Sequence, residues 1–199
     1  MRWVTLLFVA GLLGAIHWWL YDRPVPRSAG ILVDAEPEQR DLDPPPRFAD
    51  RGYTFVARAR YDITARVLRR ENYWADGSAT LAPVDVAVSW GPASDSAVVD
   101  RLEISQMGRF FYWRPKEPAT FPLPAETLIT HTAQMHLIPA TKELEGRIKQ
   151  LRPGRIVTIG GYLVDVSGAG GFSWRTSLTR SDTGDGACEI VWVETLAVR

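Results

Sequence analysis

The chain is poor in cysteine: Cys188 is the only one among 199 residues. A single cysteine cannot form an intramolecular disulfide, and it excludes zinc sites built from four cysteines or from paired cysteines and histidines. The chain also lacks a basic excess, because 23 Lys and Arg residues balance 23 Asp and Glu residues. Proteins that bind nucleic acid through its phosphates usually carry such an excess, so the composition argues against a nucleic-acid partner.

Several catalytic signatures are missing as well. The sequence has no Walker-type phosphate loop, no nucleophile elbow and no His-Glu-x-x-His metal motif. Hydrophobic residues make up 46% of the chain and charged residues 23%, which is typical of an ordinary folded protein. The length fits one domain with an appendage, and no cofactor is predicted.

The longest uncharged apolar run lies at the N-terminus, from Trp3 to Tyr21. A helix of that length would reach roughly 28 Å, close to the hydrocarbon thickness of a bilayer. Trp18 and Trp19 lie near its end, where aromatic rings prefer the membrane interface. The residues that follow are too bulky for signal-peptide cleavage. The pattern therefore predicts an uncleaved transmembrane anchor at residues 1–21, with the chain crossing the membrane once.

The orientation of this anchor rests on few charges. Arg2 precedes the run and Arg23 and Arg27 follow it, so the count of positive charges is nearly balanced. A short basic start followed at once by an apolar run is typical of an export signal. We therefore expect a protein of the inner (plasma) membrane with its C-terminal domain in the periplasm. A domain that faces the cytoplasm remains the alternative.

Residues 22–52 are rich in proline, including the run Pro44 to Pro46. Proline fixes the backbone φ angle and removes amide donors, which disfavours helices and central strands. The sequence thus predicts an extended, semi-rigid tether between the anchor and a globular domain.

The globular domain is predicted to cover residues 53–199. Alternating apolar side chains indicate strands over residues 53–67 and 81–90. Further strands are expected at 109–114, 156–166, 172–178 and 187–196. Ser94 or Asp95 can cap one short helix, and Leu144, Ile148 and Leu151 mark one face of a second. We expect a β-rich α+β fold, in which a curved antiparallel sheet or a partly open barrel is accompanied by two short helices.

The segment LRPGRIVTIGGYLVDV resembles the passage from a helix into a strand in small OB-like barrels. Together with ENYW, SWGP, HTAQMHLIPA and WRTSLTRSDTGDGACEIVWV, it makes the stretch from Tyr53 to Leu196 similar to membrane-anchored proteobacterial proteins. The resemblance implies an OB-like barrel, and it brings no catalytic residue with it.

Two histidines and the cysteine are the candidates for catalysis. His131 and His136 are five residues apart, so neither a strand nor a helix would bring them together, and no metal site is predicted. Cys188 alternates with Ile190 and Trp192, which indicates a packing position. An enzyme would need a pocket in which His131, His136, Cys188 and Asp182 converge with Arg180. The stretch from Asp182 to Gly186 lacks the ligand spacing of a calcium loop and is also explained as a tight turn.

Aromatic residues beside arginines favour a binding surface instead. The candidates for this surface are Trp90, Trp113, Arg114, Trp174, Arg175 and Arg180. The first hypothesis is thus a non-catalytic binding or scaffold domain for an envelope protein, a peptide or a glycan. An envelope enzyme of the hydrolase type is the alternative. Polyanion binding by a stripe of Arg58, Arg60, Arg66, Arg69 and Arg70 is the second alternative.

Overall fold

The computed structural model describes residues 2–19, 23–184 and 186–199. The fold is α+β and rich in strands, with few helices. The helices are α1 (Arg2–His17), α2 (Ser96–Val99), α3 (Ala125–Thr130) and α4 (Lys142–Ile148). The strands are β1 (Glu38–Asp41), β2 (Arg47–Asp50), β3 (Tyr53–Asn72), β4 (Val84–Ser89), β5 (Leu102–Met107), β6 (Phe110–Pro115), β7 (Thr132–Pro139), β8 (Ile156–Ser167), β9 (Ser173–Trp174) and β10 (Glu189–Val198).

Five of these strands form a closed ring. β3 pairs with β4, β4 with β7, β7 with β10, β10 with β8, and β8 again with β3. The ring can close because β3 has 20 residues, so that its first part pairs with β8 and its last part with β4. Five strands in one barrel are also the number in the OB-like folds that the sequence resembles.

The sheet is mixed, so the prediction of an antiparallel sheet is wrong. β7 and β10 run parallel, whereas the other pairs in the ring are antiparallel. Parallel neighbours need a long crossover. Here α4 and β8 lie between them in the chain, and β8 joins the far side of β10.

The inside of the ring is mainly apolar, although Glu189, which lies two residues before Val191 on β10, is buried on the same face. Val86, Leu137 and Val191 belong to the main buried cluster, which fills the ring. Ile138 belongs to a second cluster with Phe55, so consecutive residues of β7 are buried on opposite faces of the strand.

A bulge in β10 helps the ring to curve. The pairing of β10 with β8 shifts between Val193 and Thr195, opposite Gly161. A Cβ atom on Gly161 would lie 1.9 Å from the carbonyl oxygen of Trp192, so any larger residue would push the two strands apart.

The prediction of a transmembrane helix is wrong. Helix α1 ends at His17 and has 16 residues, which reach about 24 Å. Of the helices in the described ranges, none combines the length and the apolar character that crossing a membrane requires. The predicted run also included residues 20 and 21, which lie outside the described residues. The compartment that holds the globular domain stays a prediction.

The proline-rich segment lies against the globular domain over much of its length. Val33 is buried, and its backbone N–H donates to the Ser94 hydroxyl at 3.1 Å. β1 and β2, which were not predicted, both pair with the first part of β3. Proline is excluded from central strands but is tolerated at the ends of short edge strands. Pro37 directly precedes β1, and Pro46 directly precedes β2. The domain boundary at residue 53 stays a prediction.

The stretch between β4 and β7 forms an insertion on the outside of the ring. The Asp95 side chain caps α2 by accepting from the N–H of Ala97 at 2.8 Å. β5 and β6 form a separate two-stranded hairpin, and α3 follows in a region that the sequence pattern assigned to no helix. The hairpin turns at Gly108, whose φ of +57° suits glycine at the first position of a two-residue turn.

Candidate functional site

A row of polar side chains is buried on the outer face of β4 and β7. Asp85 and His136 lie directly opposite each other in the two strands. Nδ1 of His136 is 2.8 Å from Oδ1 of Asp85, and both side chains are almost completely buried. Gln134 lies two residues before His136 on the same face of β7, and its Nε2 is 3.4 Å from Oδ2 of Asp85.

Arg109 reaches this row from the turn of the β5–β6 hairpin. Its guanidinium donates to Asp85 Oδ1 at 2.8 Å, to both oxygens of Asp76 at 3.0 Å and to the carbonyl of Ala82 at 3.0 Å. The guanidinium carbon also lies 4.0 Å from the centre of the Tyr73 ring. Arg109 therefore fastens the hairpin to the loop between β3 and β4.

The charges in this cluster change the acidity of their neighbours. Burial alone would raise the pKa of Asp76, but hydrogen bonds from Arg109 and Ser78 hold that pKa below its usual value. Burial raises the pKa of Tyr73 well above its usual value, and the charge of Asp85 adds to the effect. Tyr73 therefore remains a neutral phenol, and its hydroxyl donates to the carbonyl of Gly108 at 2.6 Å.

The hairpin bounds a cleft of about 500 Å³, which we call the hairpin cleft. One wall consists of four consecutive residues of β6, Phe110 to Trp113. The other side is formed by β7 and by the stretch before β10, including Thr179, Asp182 and Cys188. Its volume falls in the range of known ligand pockets.

A second cleft of about 450 Å³ lies beside it and is called the histidine cleft. Phe110 and Cys188 line both clefts. His136 and Trp174 line the histidine cleft, and their ring centres are 4.6 Å apart. The two clefts together follow one side of the hairpin.

In the described part of the chain, no strand lies beside the edge of β6 that lines the hairpin cleft. Within the described ranges, β6 pairs with β5 alone. Met107 and Phe110 close the two-residue turn, so hydrogen-bonded and open pairs alternate from there along the hairpin. The backbone groups of Phe111 and Trp113 are consequently directed away from β5.

Glu189, the first residue of β10, also lines the hairpin cleft. Its side chain is buried, and its Oε2 has no hydrogen-bond partner among the described residues. Burial raises the pKa of Glu189 to about 8, and the charge of Asp182 contributes in the same direction. At neutral pH this carboxyl group is mostly protonated.

The candidate site residues predicted from the sequence lie in several separate parts of the structure. Trp90 is fully buried, and its indole N–H donates to Oε2 of Glu36 at 2.9 Å. His131 lies at the end of α3 with Nε2 at 3.3 Å from the other oxygen of Glu36, away from His136. Arg180 donates to the carbonyl of Pro37 at 2.6 Å and also lines the hairpin cleft. His131 and Trp90 thus belong to the contact with the proline-rich segment and not to the clefts.

Other predicted residues lie at or near the clefts. Trp113 is half-buried in the wall of the hairpin cleft, whereas Arg114 is exposed and paired with Glu103. Arg175 is exposed and lines the histidine cleft. Asp182 accepts a hydrogen bond from the Ser177 hydroxyl at 2.7 Å. Asp185 of the candidate calcium loop lies outside the described residues, and no cluster of three metal-ligating side chains occurs in the described part.

Each arginine of the predicted polyanion stripe has a partner within the protein. Arg58 pairs with Asp165 at 2.9 Å and Arg60 with Glu194 at 2.8 Å. Arg66 is buried and donates to the carbonyl of Ser94 at 3.0 Å. Arg69 pairs with Glu71, and Arg70 donates a hydrogen bond to the carbonyl of Lys149. These arginines are less available to an external anion than their sequence spacing suggests.

Sequence reasoning did not single out Asp85, Arg109, Gln134 or Glu189 as site residues. A signal existed for two of them, because Asp85 interrupts the apolar strand VDVAVS and Glu189 directly precedes the apolar run IVWV. A charged residue inside an apolar strand is often buried and needs a partner. No such signal exists for Arg109, whose role depends on the position of the hairpin turn.

The chain was also compared with protein families, curated proteins and solved structures. None of the three comparisons found a match. The function of the clefts therefore has to be inferred from their geometry and charges.

Proposed function

We propose that the globular domain is a non-catalytic binding domain that takes an extended peptide segment of a partner protein into the hairpin cleft. The peptide adds to β6 as a third strand of the hairpin sheet. The observation that carries the proposal is an edge of β6 that pairs with no described strand and runs along a cleft of about 500 Å³. Four residues of β6 line it, which corresponds to about 13 Å of extended peptide.

The polar groups of the cleft suit a peptide backbone. Every second residue of β6 offers a backbone N–H and C=O to the cleft, which is the pattern that a neighbouring strand needs. Oε1 of Gln134, which also lines the cleft, is a buried acceptor without a partner among the described residues. A peptide N–H would satisfy it and remove the cost of burying an unpaired acceptor, about 1–3 kcal/mol.

The apolar groups suit alternate side chains of such a peptide. Phe110 and Tyr112 are both exposed by more than 40%, and Met107 beside them is exposed by 72%. These side chains project from one face of the hairpin, where apolar side chains of an added strand would pack. Exposed aromatic residues near a polar rim are typical of protein-binding surfaces.

The experiment begins with a phage-displayed library of random heptapeptides selected on the full chain. Selected peptides are then synthesised with a single N-methyl group at each backbone nitrogen in turn. We expect methylation at alternate positions to weaken binding at least tenfold, and methylation at the positions between them to change it less than threefold. The unmethylated peptide is the matched control. Equal tolerance of N-methylation at all positions would contradict strand addition.

A thiol-dependent hydrolase is the second candidate. It is favoured by the position of Asp85 beside His136, which lines the histidine cleft together with Cys188. His136 would take the thiol proton, and the Cys188 sulfur would attack an acyl carbonyl, releasing an alcohol or amine before water hydrolyses the thioester. Arg109 binds the same oxygen of Asp85, which weakens the effect of that carboxylate on His136. Ester hydrolysis that is lost in Cys188→Ser and His136→Ala, but kept in His131→Ala, would favour this candidate over the binding domain.

A further inference from the structure

The two acids of the hairpin cleft have different surroundings. Asp182 is exposed and accepts a hydrogen bond from Ser177. Glu189 is only 6% exposed, and its Oε2 has no hydrogen-bond partner among the described residues. A buried acceptor without a partner is costly, so a ligand group that donates to it recovers that cost on binding.

No side chain is hydrogen-bonded to Oε2 of Glu189 within the described ranges, whereas the backbone N–H of Glu189 itself bonds to its carboxyl group. Arg180 lines the same cleft and is near enough to lower the pKa of Glu189. Two of its nitrogens are directed to Pro37 and Glu36, and its Nε has no hydrogen-bond partner among the described residues. Tyr61 faces Glu189 from β3, and burial together with the charge of Glu189 keeps the pKa of Tyr61 far above neutrality. The surroundings of Glu189 therefore contain a phenol, an acid and one arginine, two of whose nitrogens are engaged with the proline-rich segment.

We infer that the hairpin cleft selects peptides that carry a lysine or arginine side chain, and that its cationic end group binds the carboxylate of Glu189. This inference rests on the proposed function and names the class of peptide that the cleft takes. The charge-assisted hydrogen bond replaces the proton that Glu189 carries in the free protein. Acidic or purely apolar peptides cannot make this contact.

Binding of a cationic peptide to the hairpin cleft should depend on pH. The pKa of Glu189 is about 8 in the free protein, so a cationic peptide must displace a proton when it binds below that pH. Affinity is expected to rise about tenfold between pH 7 and pH 9, while a peptide lysine stays charged because its ordinary pKa is about 10.4. Asp182, Arg180 and Tyr61 face Glu189, and the thiol of Cys188 lies in the same cleft, so Cys188→Ser is the background for the pH series.

The experiment selects the heptapeptide library on the full chain and on two variants. Glu189→Gln removes the ionisable group with little change in shape. Glu194→Gln is the matched control, because Glu194 lies on the same strand but is exposed and paired with Arg60. We expect one peptide position to be enriched in lysine or arginine on the wild type and on Glu194→Gln, and to lose that enrichment on Glu189→Gln. Replacing the selected lysine with norleucine should weaken binding to the wild type at least tenfold and to Glu189→Gln less than twofold.

The outcomes separate this inference from the proposed function. Peptides that show the alternating N-methyl pattern without a lysine or arginine preference would overturn the inference and leave strand addition intact. The same cationic preference on Glu189→Gln would also overturn it, because Glu189 would not be the determinant. A cationic preference with no alternating N-methyl pattern would contradict strand addition instead.

Discussion

Strands β4 and β7 bury both of their faces, but the two faces differ in chemistry. The inner face carries apolar side chains such as Val86 and Leu137, which fill the ring. The outer face carries Asp85 and His136, which are covered by the hairpin through Arg109 and by Trp174. On these two strands the inner face needs only side chains of matching volume, whereas each polar group on the outer face needs a specific partner. The clefts and the most specific contacts therefore both occur on the outer face, where the hairpin and Trp174 cover the two strands.

The largest effect is expected at Arg109. Replacing Arg109 with Met leaves Asp85 buried without its cationic partner, and losing one member of a buried pair costs about 3–5 kcal/mol. The free energy of unfolding in urea measures this cost. Arg114→Met is the matched control on the same hairpin, because its side chain is 75% exposed and its pair with Glu103 is worth at most about 1 kcal/mol. Similar losses of unfolding free energy in the two variants would show that the contact of Arg109 with Asp85 does not hold the hairpin in place.

Glu189 should make stability depend on pH. Its pKa is about 8 in the folded protein and near 4.5 in the unfolded chain, so the folded state holds one more proton between these values. The free energy of unfolding should therefore fall as the pH rises from about 4.5 to about 8, by up to roughly 1.4 kcal/mol per pH unit, and level off above that. The difference between the wild type and Glu189→Gln, measured at several pH values, isolates this effect. A constant difference from pH 4 to pH 9 would mean that the folded protein does not keep Glu189 protonated.

A smaller effect is expected at Trp174. Its ring lies against His136 and 5.6 Å from the guanidinium of Arg109, so Trp174→Leu removes part of the outer cover. We expect a loss of about 1–2 kcal/mol in the free energy of unfolding. Trp74, which is 78% exposed, provides the control: Trp74→Leu should change stability by less than about 0.5 kcal/mol. Equal effects of the two substitutions would show that the contacts of Trp174 with His136 and Arg109 add nothing to the free energy of unfolding.

The sequence predicts those parts of the fold that are determined by residues close together in the chain. The period-two pattern that begins at Tyr53 indicates β3, and a cap at Asp95 indicates α2, because neighbouring residues decide both. The parallel pairing of β7 with β10 depends on where the chain returns after α4, and no local pattern reports it. The apolar run at the N-terminus predicted a longer helix than the one that ends at His17.

The candidate site was harder to predict, because its residues meet only through the fold. Asp85 and His136 are brought together by strand register, and Arg109 joins them from a hairpin turn. His136, Cys188 and Trp174 were recognised as candidates for their residue types, and they do line one cleft. His131 was grouped with them by composition alone, and the structure places it beside Glu36 instead.

Strand addition at β6 can be tested most directly by amide hydrogen exchange, measured by NMR on the full chain. In the free protein, the amides of Phe110 and Tyr112 should be protected by their bonds to β5, whereas those of Phe111 and Trp113 should exchange quickly. Adding a selected peptide should protect Phe111 and Trp113 at least tenfold. A peptide that binds while these two amides continue to exchange at the rate of the free protein would contradict the account.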